Sequence, residues 1–564
     1  MRAPSLLACT AVYAVAAASA SQAREHARRD ATFSSPNGMK MMPMATAGSP
    51  SDPSIMTLMN DQDTKYLVNI TLGGSVFTVQ YDTGSTDLVL IPDKPITTTS
   101  VVQGSNVSQT YGTGFYAGSI AFAKLEFGNY VVDSQAYLNA TQVDAYVTAN
   151  ILPEGVRGIM GFDAGVGTTN LQVELFQEHG DQGLATGRTF LGNIFAASPD
   201  LGNFTVVILG RSDDGERAGE GYFAIGEYPD GLKESFSKVN YVDSTGTTGG
   251  HFSVVVDAVS VNGKELPLNS SVSPEFVSPG KAVATLDTGA GAGFVTQDFY
   301  DAIYSSIPGA FYSADVSAYI VPCLPPSGAP NITISIGGQD IYINPLDLIS
   351  VNDLRPEGYN LTFCSSAFAL LDLGAGFSGM DYLLGDPFLR NVYTSFYYGS
   401  FNASGYQVKA PAVKLVPETQ EVDATYADFL SVRGKKLASS PPEATRAQIE
   451  KIIAASMANT TTDGDASIAE DVASAVSSDS DGSSYQSLLD KLDTFAPIVF
   501  GLLGAIFVAL LGLLGVGVAL CIRRGRTVGA ARSGNTFYSP VPAPVRFKEP
   551  VPEYKDEEHA LYGQ

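Results

Sequence analysis

Two short stretches place an acid where an acid is costly. "FTVQYDTGS" ends a β-branched and aromatic run on Asp82-Thr83-Gly84-Ser85, and "AVATLDTGA" ends another on Asp287-Thr288-Gly289-Ala290. Buried strands do not ordinarily finish on an unpaired carboxylate, because an ionised group held away from water is expensive. The glycine permits a tight turn that fixes the carboxylate at one point. Two such turns set face to face would put two carboxylates around one water, and like charges that close share a single proton over a wide acidic range. The ionised member can then act as general base on the water while the protonated member donates to a carbonyl. This is hydrolysis through a tetrahedral gem-diol, with no covalent intermediate, no metal and no cofactor. Competing chemistries lack their parts: of four histidines only His179 and His251 lie away from the chain ends, and no His-Glu-x-x-His or Gly-x-Ser-x-Gly is present. Both of these histidines read as surface or satisfied side chains.

The elements that must position the two acids are short and mostly extended. From Ile55 to about Val416, runs such as "KYLVNITLGG", "YVVDSQAYL", "HFSVVVDAVSVNG" and "NITISIGGQDIYI" alternate with Gly, Asn and Asp turns, the texture of β-strands. "TNLQVELFQEHG" and "TQDFYDAIYSSI" are the best short helices by periodicity. Each acid falls in its own half, so two lobes are expected, at residues 55–230 and 231–416.

The rest of the chain sets the compartment. With 33 basic against 58 acidic residues the formal charge is −25, which excludes a nucleic-acid partner needing a basic footprint. Residues 1–20 hold a basic residue, an apolar run and a small-residue cleavage pattern, the marks of a secretory signal. Residues 21–54 read as a short pro-segment or linker, with Arg28-Arg29 open either to processing or to service as an exposed basic tail. Residues 417–494 read as an Ala-, Ser- and Asp-rich stalk in which "PPEATRAQIEKIIAASM" could form a helix. Phe495 to Ile522 carries no charge and is long enough to cross a bilayer, and the arginines that follow place residues 523–564, a Pro-rich tail, in the cytosol. The expected protein is thus a type I single-pass membrane protein of the secretory pathway, at the plasma membrane or in a vacuole or endosome. Glycosylation sequons at Asn106, Asn139, Asn203, Asn269, Asn331, Asn360, Asn402 and Asn459, with a weaker one at Asn69, all fall on the luminal side. Cys323 and Cys364 are the two cysteines left in that oxidising lumen.

These residues resemble the pepsin-like aspartic proteases over roughly Ile55 to Val416. Asp82-Thr83-Gly84-Ser85 and Asp287-Thr288-Gly289 match the two active-site loops of that family, "TYGTGFYAG" its flap, and "GIMG" and "YLLGDPFLR" the segments behind each loop. The resemblance implies an all-β, bilobal fold of two pseudo-twofold β-barrel lobes with a cleft between them, followed here by one transmembrane helix. It implies Asp82 and Asp287 as catalytic dyad, Thr83 and Thr288 locking the loops together, and Tyr111, Gly112 and Thr113 as the flap that covers a peptide bound extended by its main chain. Cys323 and Cys364 match its C-terminal-lobe disulfide. A monomer is expected.

The departures from that pattern are specific. Ala290 stands where a Ser or Thr would bond the second aspartate, and losing such a bond raises a carboxyl pKa. Val89 stands where relatives carry a Trp that bonds the flap tyrosine, and Gln80 stands where an apolar residue lines the first pocket. An aspartic endopeptidase is the leading reading. A pepsin-like fold without activity, serving as a binding or surface protein, is the rival. The stalk-and-anchor layout is similar to fungal surface aspartic proteases.

Overall fold

The computed structural model describes residues 55–112, 114–165, 169–212, 214, 219–248, 250–355, 358–371, 379–401, 407–418 and 422–460. The expected signal, pro-segment, transmembrane helix and tail, together with Thr113 and Asn402, lie outside the described residues. Among the described residues no helix is long and apolar enough to cross a membrane.

One local topology is built twice. The strand Ser75–Asp82 alternates buried and partly exposed positions as a half-buried strand should. It pairs antiparallel with Lys65–Leu72 and parallel with Val156–Gly161, Asp82 lying opposite Gly161. In the second half Ala282–Leu286, buried at every position, pairs antiparallel with Ser253–Val261 and parallel with Tyr382–Leu384, Leu286 lying opposite Leu384. A strand buried on both faces reads as a continuous apolar run, which is what "AVATL" is. In each half the chain therefore delivers an aspartate from the end of a central strand.

The halves are fastened by strands drawn from both. Ile55–Asp61, Gly221–Ile225 and Phe204–Ile208 pair in sequence, and Phe204–Ile208 pairs in turn with Val392–Tyr397, which pairs with Ala412–Pro417. Behind the first aspartate Tyr81 stacks on Phe162 at 4.2 Å and tilts against Phe223 at 4.9 Å. Burying each such ring contributes roughly 1.5–3 kcal/mol and holds the loop from beneath. The two helices expected from periodicity form at Asn170–His179 and Gln297–Tyr304. The first is capped by Thr169, whose hydroxyl accepts from Gln172 N at 3.0 Å.

The expected stalk begins folded. Helices Val422–Ser439 and Arg446–Thr460 follow the last strand. Ala444, Ile449 and Ile452 are buried with Ile320, Leu354 and Phe363. Arg433 is fully buried, donating to both Asp214 carboxylate oxygens at 2.7 and 2.9 Å, to Cys323 O at 3.0 Å and to Ile349 O at 2.6 Å. Composition misleads here because few apolar side chains suffice when a buried ion pair carries the rest of the contact. Cys323 and Cys364 form a disulfide and are both buried. Of the sequon asparagines, Asn69, Asn106, Asn269 and Asn360 are exposed and Asn139, Asn203 and Asn331 partly so.

Candidate active site

The two Asp-Thr-Gly turns meet across the lobe interface. Thr83 N donates to Thr288 Oγ1 and Thr288 N to Thr83 Oγ1, each at 3.0 Å. Each hydroxyl in turn donates to a carbonyl of the opposite half, Thr83 to Leu286 O and Thr288 to Tyr81 O, both at 3.3 Å. Both threonines are fully buried, so these bonds form where water does not compete. Gln80 adds a further tie, donating from Nε2 to Gly289 O at 3.0 Å. Its role is thus to hold the second loop, where its place in the sequence pointed to a pocket wall.

This lock brings each carboxylate over the opposite glycine. A Cβ on Gly84 would collide with the Asp287 carboxyl group, and one on Gly289 with that of Asp82. Only a residue without a side chain allows the approach. Backbone amides hold the acids from below: Gly84 N donates to Asp82 Oδ1 at 2.8 Å and Gly289 N to Asp287 Oδ1 at 2.7 Å. The two acids then differ. Ser85 Oγ donates to Asp82 Oδ2 at 2.5 Å, whereas Ala290 has nothing to offer Asp287. Burial, then the neighbouring Asp82 charge, pushes the Asp287 carboxyl well above the usual range, against the pull of the Gly289 amide.

The segments behind the loops complete the frame. Phe162 N donates to Asp82 O at 2.7 Å and Asp163 N to Ser85 O at 2.8 Å, both just beyond "GIMG". Asp287 N donates to Leu384 O at 3.1 Å and Asp386 N to Ala290 O at 2.8 Å, from "YLLGD".

Val107–Thr110 and Phe115–Phe127 form a hairpin, Thr110 paired with Phe115, and Tyr111 N donates to Gly114 O at 3.0 Å. Tyr111 is partly buried and Gly112 at the tip is exposed. The missing Trp has a substitute. Tyr111 donates its hydroxyl proton to Gln109 Oε1 at 2.5 Å, and Gln109 Nε2 donates to Asp87 Oδ2 at 2.7 Å. Asp87 is buried, and that burial lifts its carboxyl to about 6 against its hydrogen bonds. Val89 packs at 0% exposure in the core and takes no part. Sequence reasoning did not single out Gln109 or Asp87; the signal available was a polar residue at the buried phase of "VSQT".

His251 sits closer to the two aspartates than its place in the sequence implies. It ion-pairs through Nδ1 with Asp163 Oδ2 across the halves, and it interacts with the charges of both Asp287 and Asp82. His179 is exposed beside Glu178, 3.5 Å away.

A bilobal, mostly β fold with paired Asp-Thr-Gly turns defines the class, and the family model for eukaryotic aspartyl proteases matches residues 65–404. The chain belongs to that family and is an aspartic-type endopeptidase. It is 24% identical over 359 residues to a probable aspartic-type endopeptidase of Aspergillus fumigatus, covering 59% of this chain and 76% of that one. It is 23% identical to aspergillopepsin-1 of Aspergillus oryzae, over 61% and 78% of the two chains, and 24% identical to pepsin A of Sus scrofa, over 60% and 80%. Among solved structures it is similar to an aspartic proteinase from Irpex lacteus at 18% identity and a TM-score of 0.48, over 66% of this chain and 99% of that one. The helices at 422–460 lie beyond the matched family span.

Proposed function

We propose that the protein hydrolyses peptide bonds with Asp82 and Asp287 acting as a pair on one water. The observation that carries this is the crossed packing in which each carboxylate rests on the glycine of the opposite loop. Asp82, which accepts hydrogen bonds from Gly84 N and Ser85 Oγ, is the general base. Asp287, whose charge is disfavoured, holds the shared proton and is the general acid. A substrate lies extended in the cleft beneath the flap, with Tyr111 and Gly112 above the scissile bond. Water attacks the carbonyl carbon, its proton passing to Asp82 while Asp287 protonates the carbonyl oxygen. Collapse of the gem-diol breaks the C–N bond as the carboxyl pair returns a proton to the amine. The Tyr111–Gln109–Asp87 chain sets the flap's resting position.

In this reading residues 55–460 form a monomeric luminal enzyme behind a cleaved signal. A spacer from about 461 leads to a single-pass anchor at 495–522, whose support is the uncharged run followed by arginines. Among the described residues, Asn69, Asn106, Asn269 and Asn360 are exposed sequon positions open to glycans.

The test is cleavage of a mixed peptide library by the full chain from pH 3 to 7, alongside Asp82→Asn and Asp287→Asn. Loss of cleavage in both folded variants supports the dyad. Full activity in either one refutes it.

A further inference from the structure

The mechanism uses neither His251 nor Asp163, yet they meet beside the dyad. Asp163 comes from the first half, its backbone held by Ser85 O at 2.8 Å. His251 comes from the second, two residues before the strand Ser253–Val261, and the next residue's carbonyl, Phe252 O, accepts from Leu286 N at 3.0 Å. Each is therefore one short step from a catalytic loop. The Asp163 side chain is 1% exposed and that of His251 is 40% exposed. His251 Nδ1 is shielded against Asp163, so the ring presents its remaining edge outward, and among the described residues Nε2 has no partner. Burial disfavours the imidazolium, but contact with Asp163 outweighs it, and the Asp287 and Asp82 charges add to the effect, lifting the group to about 9. A buried carboxylate lies on one side of the ring and a partly exposed cationic edge on the other.

We propose that His251, braced by Asp163, is a specificity-determining residue that selects peptides with a carboxylate side chain close to the scissile bond. The physical reason is the charge of the dyad. One of its two acids is ionised during turnover, so an acidic side chain brought near would be repelled. A cation fixed beside the dyad offsets that repulsion locally and supplies a charge-assisted donor. Asp163 keeps the ring charged and in place, and is a positioning residue. Among the described residues the charges that act most strongly on the ring are Asp163 from the first half and the dyad acids from both loops.

The proposal rests on the peptidase reading and is tested separately from it. The full chain is given matched peptides that differ only by Glu, Gln or Lys at each of the two positions on either side of the cleaved bond, and kcat/KM is compared within each set. At pH 5.5 the Glu peptide is expected to exceed its Gln twin by about tenfold at one position, the size of a charge-assisted bond, with Lys below Gln. The readout is this ratio, whatever the absolute rate. In His251→Gln the ratio falls to one or below. In Asp163→Asn the histidine returns toward its ordinary value of about 6.5, so the ratio persists at pH 5 and declines by pH 6.5, while the wild-type ratio holds across that interval. Cleavage without a Glu preference at any position, a preference that survives His251→Gln, or an Asp163→Asn ratio flat with pH overturns the proposal and leaves the peptidase reading standing. Cleavage of no peptide at any pH overturns both.

Discussion

Replacing Arg433 by Ala should unfold the enzyme far more readily than its position beyond the family span suggests. The guanidinium has 0% side-chain exposure and Asp214 has 3%, so neither charge is screened by water. It donates two bonds to that carboxylate and one each to Cys323 O and Ile349 O, and lies 5.1 Å from the Phe429 ring centroid. Truncation leaves Asp214 buried without its counter-ion and both carbonyls without this donor. Breaking a buried pair from one side costs about 3–5 kcal/mol. The internal control is Arg446, whose pair with Glu450 on the same extension is 65% and 53% exposed and is worth no more than about 0.5 kcal/mol. Urea unfolding of the full chain reads the difference as a fall in midpoint. Asp214→Ala should cost as much as Arg433→Ala, and a double replacement by apolar residues should recover part of the loss. If Arg433→Ala unfolds at the same urea concentration as Arg446→Ala, the 422–460 segment is an appendage and the reasoning fails.

Stability should peak in mild acid. Asp287, Asp386 and Asp87 are raised in the fold, foremost by burial, with Asp87 at about 6; their contribution is fully present below about 4 and lost as pH rises through the folded values. His251, raised to about 9, likewise contributes fully below about 6.5 and loses it as pH rises through 9. Asp347 opposes this trend: Arg211 and Arg390 lower it despite its burial, so its contribution is lost as pH falls below about 4. A urea midpoint higher at pH 8 than at pH 5 would contradict this balance. Ala290→Ser gives Asp287 the hydroxyl it lacks, and should draw the alkaline limb of the pH–rate profile downward by up to about one unit; a wild-type optimum near pH 2 would refute the premise. Gln109→Leu breaks the link from Tyr111 to Asp87 and should lower kcat/KM by about tenfold, and an unchanged value would show that the flap is held some other way.

The two acids, their glycines and the paired threonines were legible in the sequence because each is local. A strand ending in Asp-Thr-Gly states its own chemistry within a few residues, and two copies in one chain imply that they meet. Cys323 and Cys364 pair as the family resemblance implied. Much else was decided by the path of the chain. Gln80 finds Gly289 O 209 residues away, Arg433 finds Asp214 across 219, and His251 finds Asp163 in the opposite half. A polar side chain in a strand or helix does not announce its partner, because burial becomes tolerable only once a distant charge or carbonyl arrives to satisfy it. The same reason hid the folded start of the expected stalk. Its sequence is poor in apolar residues, and what seats it is an arginine whose stabilising contacts exist only after both lobes have folded around it.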